Sequence, residues 1–331
     1  MSERRPLEGG EYNHSMAPRI TEAPGGETFT LAHLSDPHLT TLDGVRWPEL
    51  LGKRLLGYLS WHRHRRHIHL PEVLERLTAD IHRQAPDHLV ITGDLTQIGT
   101  PGEYRQAREW LGRCGEPAAV TVTPGNHDTY APAPRLATLG LWQAYMTGDD
   151  GSITFPFLRR RGPVAVIALS SALPTAPLLA SGRLGPGQLA ALDHILEAAG
   201  REGLSRVVLI HHPPMAGVVS RRCGLDDAGA FADVLARRGA ELVLHGHTHR
   251  STRGYLPGPA GAIPVIGVPS ASAQDARDGR AAAYHLYRLS RMAGGWRIDV
   301  RCRTLDAASA TPRDGPSWQF EVAAPAVSAN S

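Results

Sequence analysis

Little in this sequence points to a covalently stapled or membrane-embedded scaffold. The three cysteines, Cys114, Cys223 and Cys302, are scattered and odd in number. They argue against a disulfide framework or a CxxC zinc site and fit a reducing compartment. No apolar run approaches the length of a membrane span, and no charged-then-apolar N-terminus resembles a secretion signal. The net charge is only +3, from 35 basic and 32 acidic residues, so nothing global calls for nucleic acid as a partner. No short repeat is present. The composition is that of an ordinary globular chain of 331 residues, expected in the cytoplasm. Histidine is the outlier: there are 17, several in clusters.

Residues 1–27 are rich in Gly, Pro, Glu and Arg without an apolar period, and read as a disordered tail. Between 28 and 306 strands and helices alternate. Strands are expected at 28–34, 88–92, 118–123, 164–169, 206–210 and 241–244, with a further one around 155–157. Helices are expected at 71–84, 103–111, 139–146, 187–199 and 228–238. Closely spaced strands at 263–268, 284–289 and 296–303 end the pattern. This argues for a layered α/β fold in which a second sheet is completed late. From about Ala307 to 331 the chain turns small and polar and reads as a second loose end.

The stretch from Val120 to Asp128 shows where chemistry is to be sought. A β-branched run breaks at Pro124-Gly125, and Asn126, His127 and Asp128 follow. Alone, this is either a polar turn or a place where an amide ligand, a proton donor and its orienting carboxylate meet. Four other strands end in the same manner: Asp36-Pro37-His38, Gly93-Asp94, His211-His212 and Gly246-His247-Thr248-His249. Ligands of open α/β sheets bind beyond the carboxyl ends of the strands, so these loops can share one crevice. Oxygen and imidazole donors without thiolate suit Mn, Fe, Zn or Co. Asp94 stands alone on its loop and is the natural bridge between two ions.

The composite order Asp-x-His, Gly-Asp, Gly-Asn-His-Asp, His-His-Pro-Pro, Gly-His-x-His resembles the calcineurin-like metallophosphoesterase superfamily. The similarity runs from about Thr28 to Arg303 and is nearest to the bacterial cyclic-nucleotide phosphodiesterase-like branch. It implies a four-layer α/β/β/α sandwich with two mixed sheets flanked by helices. It also implies a binuclear centre in which Asp36, His38 and His249 hold one ion, Asn126, His212 and His247 hold the other, and Asp94 bridges. His127 would contact the phosphate and protonate the leaving oxygen, with Asp128 orienting it. In the His-His pair the second residue is the expected ligand, which leaves His211, and likewise His245, behind the ligands. The implied reaction is in-line attack on phosphorus by a hydroxide shared between the ions.

Residues 42–70 fall between the first two motif loops and are expected to overhang the site. Leu, Tyr and Trp mix here with Lys53, Arg54, Arg63, Arg65 and Arg66. Residues 52–70 read as a grip for an anionic, partly apolar substrate, as a peripheral contact with the anionic inner face of a membrane, or as a solvated basic helix. Lys53 and Arg54 are the expected substrate contacts, and His62, His64, His67 and His69 are expected at the surface. The substrate is then a small phosphate ester: a cyclic-nucleotide-like diester first, a lipid-linked phosphodiester or diphosphate second, and nucleic acid last. A reading of another class is a non-catalytic scaffold on the same fold.

Overall fold

The computed structural model describes residues 27–39, 42, 45–50, 52–63, 65–130, 138–176, 179–274, 280–306 and 309–323. The N-terminal tail expected over 1–27 lies outside them except for Glu27. Two six-stranded mixed sheets form the centre. The first contains β1 (Thr28–Leu34), β2 (His88–Ile91) and β3 (Val120–Val122), which run parallel, and β10 (Ala283–Met292), β11 (Gly295–Leu305) and β12 (Pro312–Ala323), which are antiparallel. Its order is β12-β11-β10-β1-β2-β3. The second contains β4 (Phe157–Arg161), β5 (Val164–Ala168), β6 (Ser205–Leu209), β7 (Leu242–His245), β8 (Thr252–Gly258) and β9 (Gly261–Gly267), in the order β4-β5-β6-β7-β9-β8. There β5, β6, β7 and β9 are parallel.

Strand periodicity explains the layers. In β5 and β6, Val164, Val166, Val207 and Leu209 join the core shared with the first sheet, whereas Ile167 and Val208 join a second core. Alternate side chains thus face opposite sides, and both sides are apolar because both are covered. The outer face of the second sheet is covered by α4 (Gly185–Arg201) and α5 (Ala228–Arg238) through Leu192, Leu196, Phe231 and Leu235. On the first sheet, α2 (Pro71–Gln84) buries Leu74, Leu77 and Ile81, and α3 (Pro101–Cys114) buries Ala107, Trp110 and Leu111. These are the positions the helical spacing selects. The expected α/β/β/α layering is therefore present.

Two local expectations change. The last strands do not complete the second sheet: β10–β12 return to β1, and β8–β9 finish the other sheet. The loose end expected from Ala307 is corrected over Pro312–Ala323, which pair with β11 as an edge strand. Gly315, Pro316 and a mostly exposed surface hide its period; only backbone pairing reveals it. The short helix expected at Leu139–Met146 is present and is of the 3₁₀ type. The segment before α2 contains α1 (Lys53–Arg63) and a 3₁₀ turn, Arg65–His67.

Candidate metal centre

The five motif loops leave the carboxyl ends of β1, β2, β3, β6 and β7 and meet at one end of the sandwich. The backbone is bent hard to bring them together. Asp36 (φ 52°), His38 (42°), Asp94 (56°), His247 (67°) and His249 (51°) all adopt the left-handed conformation, five of the seven described non-glycine residues that do so. Each costs on the order of 1–2 kcal/mol, a strain that collects where function needs a fixed geometry. Close approach adds to this: a methyl group on Gly125 would collide with the Asp94 carboxylate.

Two pockets share Asp94. In the first, Asp36, His38, Asp94 and His249 present donor atoms within 4.8 Å of one another. His38 Nε2 lies 3.0 Å from His249 Nε2, and His249 Nε2 lies 3.2 Å from Asp36 Oδ1. In the second, Asn126 Oδ1 is 3.1 Å from His211 Nε2 and 2.9 Å from His247 Nδ1. Asp94 Oδ2 lies 3.4 Å from His211 Nε2 and 4.0 Å from His38 Nε2, so it stands between the pockets.

The donor set fits a cation. Thr92 O accepts the His211 Nδ1 proton at 2.6 Å, and Thr96 O accepts that of His38 Nδ1 at 3.1 Å. Each ring then turns the Nε2 lone pair on carboxylate, amide or imidazole acceptors. Lone pairs that face one another in a buried space require a proton or a metal between them. The buried Asp36 Oδ1 has no hydrogen-bond donor among the described residues. Burial pulls His211 down, but Asp94 and then Asp36 outweigh it and push the imidazole up to about 9. The pocket thus draws positive charge to that nitrogen.

Several expected placements are corrected. His212, not His211, was expected to face the ions. His212 lies close enough to join His211 and His247. However, its Nδ1 is 2.7 Å from Ser171 Oγ and its Nε2 donates to Ala180 O at 3.1 Å. Both its nitrogens are occupied by protein, whereas His211 Nε2 is aimed between Asp94 and Asn126. Asp128 does not touch His127. Its carboxylate accepts from Thr96 N and Gly125 N, both at 2.9 Å, and so ties two motif loops together. The carbonyl of Gln97 accepts from His127 Nδ1 instead. His245 is buried, with Nε2 3.1 Å from Thr252 Oγ1.

The 42–70 segment reaches His127 through Arg65, one of the cations named for the grip, and not through Lys53 or Arg54. Lys53 donates to Thr175 Oγ1 at 2.8 Å, and Arg54 donates to Gly99 O at 2.7 Å and Ile98 O at 3.2 Å. These two cations pin α1 to the rim and are not free for substrate. Arg65 Nη1 donates to His127 Nε2 at 3.3 Å. No carboxylate among the described residues pairs with it. His69 is buried, not at the surface; its ring is 4.6 Å from that of His38 and 5.5 Å from that of His249. Burial, then His249 and Arg65, drive His69 down to about 3. Sequence reasoning had Arg65 in the basic grip but not beside His127, and missed the burial of His69, because the run of basic and His residues resembles a solvated face. The available signal was position, between two motif loops. His127 is stacked on Tyr130, with ring centres 5.3 Å apart. Burial lowers it to about 4; Asp94 opposes this and Arg65 adds to it.

The comparisons with known proteins agree with this geometry. The family model for calcineurin-like phosphoesterases matches residues 29–251. A probable cyclic nucleotide phosphodiesterase of Synechococcus sp. is 29% identical over 231 residues, covering 69% of this chain and 81% of the relative. A cAMP/cGMP dual specificity phosphodiesterase of Mycobacterium tuberculosis is 28% identical over 263 residues, covering 75% and 68%. The crystal structure of a dimetal phosphatase from Danio rerio superimposes with a TM-score of 0.56 at 13% identity, covering 89% of this chain and 99% of that one. At that identity the likeness concerns the fold. With more than half of the chain matched by the family model, the protein belongs to the calcineurin-like phosphoesterase family and is a metal-dependent hydrolase of phosphoric esters.

Proposed function

We propose that the protein hydrolyses a phosphodiester of the cyclic-nucleotide type at a two-ion centre. The observation that carries this reading is the pair of pockets joined at Asp94, with His127 at their edge. Asp36, His38, Asp94 and His249 would hold one ion, and Asp94, Asn126, His211 and His247 the other. Two ions so held would supply an activated water and neutralise charge on the phosphoryl oxygens.

The chain's own residues set the geometry. His127 Nδ1–H is held by Gln97 O, so Nε2 is the atom that carries a proton to the leaving oxygen. Arg65 donates to that same Nε2 in this structure. A bound phosphate offers it better acceptors, and Arg65 then stabilises the phosphoryl charge while Nε2 is released for the leaving group. The diester preference rests on the relatives, two of which carry cyclic nucleotide phosphodiesterase names.

A second reading has its own support. On α1, Leu55, Leu56 and Leu59 are exposed, and Trp47 is 77% exposed nearby. An apolar patch beside basic residues suits a lipid-linked phosphodiester or diphosphate at an anionic surface. No helix among the described residues is long and apolar enough to cross a membrane, so such contact would be peripheral. The test is a hydrolysis panel with metal-reconstituted protein, comparing cyclic nucleotides, a bis-aryl phosphate, nucleotide diphosphate-lipids and monoesters. Cyclic-nucleotide turnover that collapses in His127→Ala supports the first reading, and preference for the lipid substrate supports the second. A chain that binds no metal and turns over none of them supports the scaffold.

A further inference from the structure

We infer that His69, supplied by the segment before α2, is an additional ligand to the ion held by Asp36, His38, Asp94 and His249. The inference rests on the two-ion reading above and adds a residue that the shared motif does not contain.

The argument is one of proton direction. Ser270 Oγ donates to Asp36 O at 2.6 Å, so its single proton is spent there. Ser272 Oγ lies 3.3 Å from Ser270 Oγ and can donate to it. His69 Nδ1 lies 2.9 Å from Ser272 Oγ and 3.3 Å from Ser270 Oγ. With the Ser270 proton spent on Asp36 O, an Nδ1–H on His69 can donate to both hydroxyl oxygens. In that tautomer Nε2 carries the lone pair.

That lone pair has no hydrogen-bond partner among the described residues. His38, His69 and His249 each offer a nitrogen, and the three lie within 4.8 Å of one another. His38 is fixed in the same way, by Thr96 O on its Nδ1. A buried imidazole held at one nitrogen by an outer hydrogen bond, with the other nitrogen turned towards like groups, is how proteins orient metal-bound histidine. The position is secured by backbone as well: His69 bridges to Ala273, and Leu70 N donates to Ser272 O at 2.9 Å. The chain of hydroxyls ends on the carbonyl of Asp36, so one ligand position braces another. Three imidazoles and two carboxylates would make this pocket richer in nitrogen than the other, favouring Fe, Co or Zn over Mn there.

The test uses the full chain, stripped by chelator and titrated with Zn²⁺ against a chromophoric competitor, then with Co²⁺ to read the visible spectrum. Wild type is expected to bind two ions. His69→Gln should weaken one of them about hundredfold and alter its Co²⁺ spectrum, and Ser272→Ala should weaken the same ion about tenfold. The other ion should be unaffected. His249→Ala marks which ion is concerned. If His249→Ala loses that ion while His69→Gln and Ser272→Ala bind as wild type, the inference is wrong and the two-ion reading stands. If wild type binds no ion, or His249→Ala changes nothing, the two-ion reading itself fails. Circular dichroism checks folding; should His69→Gln unfold, an unchanged Ser272→Ala overturns the inference alone.

Discussion

His211 and His212 differ by one position and face opposite sides of a sheet. Leu209 belongs to the core between the sheets and Ile210 to the core beneath the helices. Continuing the alternation puts His211 inward and His212 towards Ser171 and Ala180. The parity is readable in the sequence; which parity is inward is not, because Val207, Val208, Leu209 and Ile210 are all apolar. His211→Ala is expected to lose one of the two ions on metal analysis, while His212→Ala keeps both and lowers Tm. A His212→Ala protein short of one ion would reverse the assignment. For Arg65, the expected effect of Arg65→Ala is a KM for the diester raised tenfold or more at unchanged metal content, because an unpaired guanidinium beside the phosphate site contributes binding rather than ligation. Inhibition by inorganic phosphate should weaken in parallel.

The elements around the site owe their precision to buried polar groups. Glu103, in the first turn of α3, is fully buried, and its carboxylate accepts from Gln97 N at 2.9 Å and Thr100 N at 2.8 Å. With Thr100 it forms a capping box, which fixes the start of α3. The same bonds hold the carbonyl of Gln97 against His127. Glu103→Ala should therefore cost about 3 kcal/mol or more in urea unfolding and also lower kcat through a mobile His127. A loss of stability with kcat unchanged would separate the cap from the catalytic loop. The five motif loops were legible because each is written within a few consecutive residues, whereas the cap was not read and the helix was expected to start only at 103. The seat of α1 was not legible either. It depends on Gly57 approaching Ile98 and Tyr130, where a methyl group would meet heavy atoms at 2.6 Å and 2.8 Å. β8, with Gly254 and Pro257, was lost for the same reason as β12: edge strands are specified by their partner, not by their own pattern.

Across the whole molecule, one ion-pair cluster links α2 to the last strands. Asp80 accepts from Arg303 Nε at 2.8 Å, Arg303 Nη2 at 2.9 Å and Tyr284 Oη at 2.8 Å. Burial alone would raise this carboxyl, but Arg303 and then Tyr284 overcome it and hold its pKa below the usual value. A carboxyl depressed on folding stabilises the fold above its unfolded pKa, and that contribution is lost as pH falls through its folded value. Asp80→Asn should thus lower Tm at neutral pH and narrow towards wild type in strong acid. A constant gap across the pH range would exclude this origin. The motif loops tie the two sheets together at the carboxyl ends of their strands. Chelation is expected to lower Tm, and free metal at a hundredfold excess over Kd restores about 2.7 kcal/mol per site.

The two pockets draw on β1, β2 and β3 from one sheet and on β6 and β7 from the other, and His38 and His249 are separated by 211 positions. A chain still emerging from the ribosome carries Asp36, His38, Asp94 and Asn126 long before it carries the histidines that complete either pocket. It can offer an ion only an open half-clamp of oxygens and one imidazole, which any abundant divalent cation could occupy weakly and leave. On the two-ion reading, tight loading would wait until synthesis has passed His249 and the second sheet has closed on the first. The resident metals would then be set at the end of folding, by the supply present at that moment.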